Sequence, residues 1–146
     1  MESYTCQEGD VVIGTDPELL DLDFIHDFLA NESYWARGIS REEVETAIEN
    51  SLNFGLYRDG QQLAFLRVIT DYATFAYISD VFVAAAYRGQ GLAQALLRCA
   101  LRHPQLQGLR KWTLDTRDAQ SLYYRFGFRV PPAPGKYMVY RVPDER

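Results

Sequence analysis

The chain has 146 residues and a formal net charge of -5, with 47% hydrophobic, 14% aromatic and 24% charged residues. That is enough chain to bury a core, and residues 1–146 read as a single domain of soluble globular composition. A modestly acidic balance speaks against a nucleic-acid partner, and no apolar run approaches the ~20 residues of a membrane span, so neither nucleic acid nor membrane is expected.

In chain order, MESYTCQEGD has neither the basic region nor the apolar centre of a secretion signal, which points to the cytoplasm. Cys6 and Cys99 stand far apart in no metal or redox spacing. A disulfide framework is therefore not expected, and a reducing compartment fits. Cys99 falls in an apolar helical pattern and reads as buried packing. VVIGT reads as a short strand. Asp16-Pro17 then opens a helix, with Pro17 at its first position, and Leu19, Leu22, Ile25 and Phe28 recur at helical spacing. NESYWARGIS breaks the pattern as an aromatic and polar loop. Ser40 caps the next helix, with Glu43 three residues on as a capping box.

Three strands follow. NFGLY ends at the hairpin signal Arg58-Asp59-Gly60, and QQLAFLRVIT and FAYISDVFV are joined by DYAT. A helix over 89–102 stops near Pro104, and LRKWTLDT is the next strand. DAQSLYYRFG makes a short helix, with Asp118 as its N-cap and Gly127 as its stop. FRV and YMVYRV read as closing strands around PPAPGK. The first half is hairpin-connected and antiparallel, whereas strand 75–83, helix 89–102 and strand 109–115 make a parallel crossover. The fold class is α/β (mixed α+β), a central mixed, mostly antiparallel sheet with helices on its faces.

The stretch VFVAAAYRGQGLA turns a strand into a helix through Arg88-Gly89-Gln90-Gly91. A helix start leaves about four amides unpartnered, and its dipole favours anions, so such a turn binds phosphate. Gly89 and Gly91 let backbone approach a ligand closely, and Arg88 can add a charge-assisted contact. A glycine turn that serves chain reversal alone is the alternative. Neither G-x-x-x-x-G-K-[ST] nor G-x-G-x-x-G is present.

On these residues the chain resembles the GNAT superfamily of N-acetyltransferases. VFVAAAYRGQGLA looks like that family's acetyl-CoA motif, a bulged strand followed by Q/R-x-x-G-x-G/A, filled here by Arg88, Gly91 and Ala93. AQSLYYRFGF, residues 119 to 128, resembles its A-x-x-L-Y-x-x-x-G-F, with Tyr123 on the tyrosine and Arg125 on a frequent basic residue. Two positions depart: Ala85 replaces a common proline and Thr116 a common asparagine.

The resemblance implies a splayed parallel strand pair at the coenzyme A site, with acetyl-CoA as co-substrate. The acceptor would be a primary amine, small molecule or peptide, and the protein a monomer or homodimer. It lays the pantetheine arm along the backbone of Val81, Phe82 and Val83, with an amide near Val83 stabilising the oxyanion. The pyrophosphate would lie over Arg88, Gly89, Gln90, Gly91, Leu92 and Ala93. Arg125 either reaches a coenzyme A phosphate or is solvated. Tyr123 is the proton donor to the leaving thiolate, or a packing tyrosine. Asp80, a carboxylate inside a hydrophobic strand, is either the general base or a bulge-shaping group bonded to backbone amides. The acceptor pocket would draw on Ser33, Tyr34, Trp35 and Asp71, unless the aromatics only anchor their loop and Asp71 only forms its turn. His26 and His103 read as helix-surface and helix-end residues. A non-catalytic acyl-CoA-binding sensor on the same fold is the alternative function.

Overall fold

The computed structural model describes residues 2–143 and divides into two compact units, Met1–Asp115 and Thr116–Arg146. In the first, six strands lie side by side in chain order. These are β1 (Thr5–Glu8), β2 (Val11–Gly14), β3 (Leu52–Arg58), β4 (Gln61–Thr70), β5 (Phe75–Val83) and β6 (Lys111–Leu114). β1 to β5 pair antiparallel, and β6 alone runs parallel, beside β5. Helices α1 (Leu22–Asp27) and α2 (Arg41–Glu49) precede β3, and α3 (Leu92–Arg102) makes the crossover from β5 to β6. The mixed, mostly antiparallel α/β architecture is the one expected.

β4 explains the layering. Residues 62 to 66 are all buried, so both faces of that strand are covered. Phe65 joins Ile25, Phe28, Leu29, Val44, Ile48 and Phe82 in one apolar cluster beneath α1 and α2. Phe28 and Phe82 stack there with ring centres 4.0 Å apart. Strand alternation turns Ala64 and Leu66 to the other face, where α3 sets Leu92, Leu96, Leu97 and Cys99. The capping box is present: the Glu43 amide donates to Ser40 Oγ at 3.0 Å, and the Ser40 amide to Glu43 Oε1 at 3.2 Å.

Several expectations change. The segment after Asp16 is not one helix. Pro17–Leu19 forms a single 3-10 turn, and Asp21 caps a separate α1 by accepting from the Phe24 amide. Leu19 consequently lies exposed. α3 begins at Leu92 rather than 89, because Gly89 and Gly91 adopt left-handed conformations. β1 has no counterpart in the sequence reading, since TCQE carries little β-propensity and gains its order by pairing with β2. Cys6 and Cys99 are joined by a disulfide with Cα atoms 6.0 Å apart, contrary to the expectation of unpaired thiols. Their separation of 93 positions in sequence concealed that β1 runs beside α3.

In the second unit, α4 (Gln120–Tyr124) starts from Ala119, not Asp118. Thr116 Oγ1 accepts the Ala119 amide at 3.0 Å, and Gly127 ends the turn at φ 95°. The closing strands expected at FRV and YMVYRV do not form: residues 128–143 hold only a 3-10 turn at Pro134–Lys136. Pro131, Pro132 and Pro134 remove amide donors and fix φ there. Propensity without a partner strand does not make YMVYRV a strand, and Tyr137, Met138 and Tyr140 stand exposed.

Candidate active site

The register of β4 and β5 shifts at one place. Phe65 faces Phe82 and Arg67 faces Ser79, so Leu66 stands opposite two residues, Asp80 and Val81. This is a β-bulge, which bends the strand and re-aims its side chains. Asp80 sits there at φ 53°, a left-handed conformation that aspartate tolerates better than most residues. Its side chain is held from two sides. Trp35 Nε1 donates to Oδ1 at 2.7 Å and Arg67 Nε to Oδ2 at 2.8 Å. Arg67 also donates from Nη1 to Ser51 Oγ at 3.0 Å and from Nη2 to Ser79 Oγ at 3.3 Å. The side chains of Arg67 and Asp80 are only 14% and 10% exposed, so this is a largely desolvated ion pair. The Asp80 carboxylate thus accepts from side chains of β4 and the 33–40 loop.

Sequence reasoning singled out Asp80 and Trp35 but missed Arg67, which ties them to the sheet. The signal was available: an arginine within QQLAFLRVIT is as anomalous as an aspartate within YISDVFV.

On its other edge β5 pairs with β6 only from Phe75 to Ile78. Tyr77 Oη donates to Asp115 Oδ2 at 2.8 Å just where β6 ends. β5 runs on to Val83, and among the described residues of this unit its 79–83 edge has no partner strand. Main-chain N–H and C=O groups there are open to an extended ligand. Val81 and Val83 are half-buried, whereas the Phe82 side chain belongs to the core.

The chain then turns through Ala85–Tyr87, and Arg88 Nε donates to the Val83 carbonyl at 3.1 Å. Gly89 (φ 81°) and Gly91 (φ 75°) supply two left-handed positions that a side chain would strain. The Ala95 amide bonds to the Gly91 carbonyl at 3.1 Å, closing the first turn of α3. The amides before it have no carbonyl one turn back to accept them, and residues 88–91 are exposed around them. Arg58 Nη2 donates to Gln90 Oε1 at 3.0 Å. An open strand edge therefore leads directly into a helix start with exposed, unpartnered amides. The order suits a ligand with amides at one end and phosphates at the other.

Beside the bulge, on the α1–α2 side, lies a pocket of ≈ 230 Å³. Ile25, Leu29, Ile39, Val44, Ile48 and Phe65 give it an apolar wall, and Trp35, Arg67, Ser79 and Asp80 give it a polar one. Of the expected acceptor residues, Trp35 lines this pocket and Tyr34 packs edge-on against Trp35 at 5.0 Å. Ser33 Oγ is used within its own loop, donating to the Leu29 carbonyl and accepting the Ala36 amide. Asp71 is occupied by the DYAT turn, accepting from the Thr74 hydroxyl and the amides of Thr74, Ala73 and Phe75. Those bonds, the Thr74 hydroxyl first, hold its carboxyl well below the usual range. His26 Nε2 bonds the Ile39 carbonyl at 3.0 Å, and His103 closes α3, its Nδ1 accepting the Gln105 amide.

In the second unit Tyr123 is buried, with its ring edge-on to Phe128 at 5.9 Å. Arg125 is exposed at the C-terminal end of α4.

Comparison with known proteins points the same way as this geometry. A model of the Acetyltransferase (GNAT) family matches residues 22–128. "Putative acetyltransferase FG08082" of Gibberella zeae is 30% identical over 137 residues, covering 79% of this chain and 76% of its own length. A putative acetyltransferase of the GNAT family from Xanthomonas campestris is 47% identical in its crystal structure. It superposes with a TM-score of 0.89, over 94% of this chain and 96% of its own. Glucosamine-6-phosphate N-acetyltransferase from Arabidopsis thaliana shares the fold at 14% identity, with a TM-score of 0.61, over 99% of this chain and all of its own. With a family match across most of the chain and a relative this similar, the protein belongs to the GNAT acetyltransferase family.

Proposed function

We propose that the protein is an N-acetyltransferase that moves the acetyl group of acetyl-CoA directly onto a primary amine. The observation that carries this is the open 79–83 edge of β5 running into the glycine turn and the start of α3. Pantetheine amides pair with the main chain of Val81, Phe82 and Val83, and the pyrophosphate lies on the amides between Arg88 and Ala93. Arg88 stiffens the turn through Val83, and Arg125 reaches a coenzyme A phosphate. The whole chain acts as one acetyltransferase domain, a reading supported by a family match that runs from the first unit into the second.

The acceptor enters the pocket beside the bulge. An alkylammonium with a pKa near ~10.4 is neutral in only about one molecule in ~2,500 at pH 7, a deficit of roughly 4–5 kcal/mol. Asp80 addresses this deficit as general base: it orients the ammonium at the bulge and passes its proton on, the neutral amine forming as that proton leaves. A carboxylate has about four acceptor sites, and Trp35 and Arg67 account for two of them. One ammonium proton leaves along Asp80 and water. The nitrogen then attacks the thioester carbon, and a main-chain amide near Val83 receives the developing oxyanion. As the C–N bond forms and the C–S bond breaks, Tyr123 protonates the sulfur, and the second proton shed by the nitrogen restores the Tyr123 hydroxyl through water. The products are the acetamide, coenzyme A thiol and one proton released to solvent.

The reading extends to a cytoplasmic location. Persistent disulfides belong to oxidising surroundings, so in the cell Cys6 and Cys99 are then expected as thiols. Among the described residues, no helix is long and apolar enough to cross a membrane.

The test is thiol release from acetyl-CoA over a panel of amines, alongside calorimetric titration of coenzyme A. Amine-dependent turnover that falls ~100-fold in Tyr123→Phe, with coenzyme A affinity kept, is the expected result. Tight coenzyme A binding without turnover on any amine would favour the non-catalytic sensor instead.

A further inference from the structure

We infer that the acceptor is a primary monoamine with a compact, uncharged aryl or branched-alkyl body, and not a polyamine, a lysine side chain or an amino acid. The inference rests on the acetyltransferase reading and concerns the pocket at the bulge. Three features of that pocket select the class.

The first is its division into two walls. Arg67, Ser79, Asp80 and Trp35 are joined to one another by hydrogen bonds and so form one polar patch. The remaining lining is aliphatic or aromatic, with Ile25, Leu29 and Phe65 fully buried behind it. A ligand that matches both walls carries its charge at one end and apolar surface along the rest.

The second is charge. Asp80 is the one carboxylate in the lining, and Arg67 already balances it. A second ammonium further along the ligand would meet Ile39, Val44 or Ile48 and find no anion, which is the arrangement an apolar wall penalises most. An α-carboxylate would have to lie beside the Asp80 carboxylate and compete with it for Arg67, three of whose five N–H donors already go to Asp80, Ser51 and Ser79.

The third is size. A lined volume of ≈ 230 Å³ exceeds the ~150 Å³ apolar cavity that admits benzene. A phenyl group with a short ethyl arm fits, and the arm's nitrogen ends at Asp80, on the bulge of the strand that carries the cofactor edge.

The experiment compares kcat/KM for 2-phenylethylamine, 3-methylbutylamine, 1,4-diaminobutane, phenylalanine and a lysine peptide. The two apolar monoamines should lead the other three by ~100-fold or more, the discrimination expected when a charge must be buried unpaired. Ala36→Leu and Ala47→Leu each narrow the pocket without touching its polar patch. Either variant that keeps the wild-type melting temperature and coenzyme A affinity should raise KM for 2-phenylethylamine ~10-fold more than it raises KM for ethylamine. Turnover led by the diamine, the peptide or phenylalanine overturns this inference and leaves the acetyltransferase reading standing. So does a narrowed pocket that treats 2-phenylethylamine and ethylamine alike. Turnover with no amine at all removes both.

Discussion

Asp80 concentrates the cost and the use of the site in one residue. Its φ of 53° is left-handed, so most replacements would strain the backbone and blur the result. Asparagine tolerates that conformation and keeps an oxygen for the Trp35 indole. Asp80→Asn therefore removes the charge alone. It leaves the Arg67 guanidinium, 14% exposed, without its anion. We expect a folded protein destabilised by about 3 kcal/mol and an amine kcat/KM lowered ~100-fold, with calorimetric coenzyme A affinity intact. Adding Arg67→Met to that variant removes the stranded cation. Stability should then recover while turnover does not, because replacing a whole buried pair costs less than breaking it. A double variant that regains both would show that Asp80 serves the fold only.

At the scale of the element, α2 tests how far local sequence determines structure. Ser40 and Glu43 exchange bonds to each other's amides, and the helix is nine residues long, short enough for its cap to matter. Ser40→Ala should cost about 1 kcal/mol in chemical denaturation, and because α2 supplies Val44 and Ile48 to the pocket, it should also raise the acceptor KM. Unchanged stability would mean the cap is redundant with the packing of Val44 and Ile48. This helix was legible because all its determinants lie within four residues. The hairpins of β3, β4 and β5 were legible for the same reason, from the Asp59-Gly60 turn and the short DYAT connection. Most of what escaped depends on distant residues. The disulfide depends on the approach of β1 to α3 and the polar patch on three segments meeting at one bulge, whereas β1 pairs locally with β2 and was missed for the weak β-propensity of TCQE. The anomalous carboxylate in β5 was visible in the sequence, but its partners were not, since Trp35 and Arg67 lie 45 and 13 residues away. The glycine turn is intermediate: its sequence signal is local, whereas the open β5 edge beside it exists only because β6 stops at Leu114.

For the whole molecule, acid should loosen the contacts that hold α3. Burial pushes the His103 imidazole below its usual 6.5. Its folded pKa is thus lower than its unfolded one, so the unfolded chain binds the proton first. Stability is full above about pH 6.5 and declines as pH falls from there through the depressed folded value. Glu8 is lowered from 4.5, chiefly by its hydrogen bonds to Arg98, and adds a second loss further down, below about pH 4.5. Urea midpoints between pH 8 and pH 5 should fall in the wild type. They should stay flatter in His103→Asn, which keeps a side-chain acceptor for the Gln105 amide and does not titrate. Equal slopes in the two proteins would remove His103 from the account.

The same region carries the cross-link. Cys6 and Cys99 close a loop across 93 residues of sequence, beside the two-fold bond from Arg98 to Glu8. A loop of that length restricts the unfolded chain strongly, and the usual yield is about 2–4 kcal/mol. With roughly 2–4 °C per kcal/mol for a chain of this size, reduction should lower the melting temperature by about 4–16 °C. Cys6→Ser with Cys99→Ala should melt near the reduced wild type and ignore the reductant. Activity at 25 °C should survive in both, because the glycine turn is fixed by Arg88 on Val83 and by the buried face of α3, not by the sulfur bond. Identical melting with and without reductant would mean that the two cysteines only pack against each other. A loss of turnover on reduction would mean instead that the helix start depends on a covalent anchor on β1.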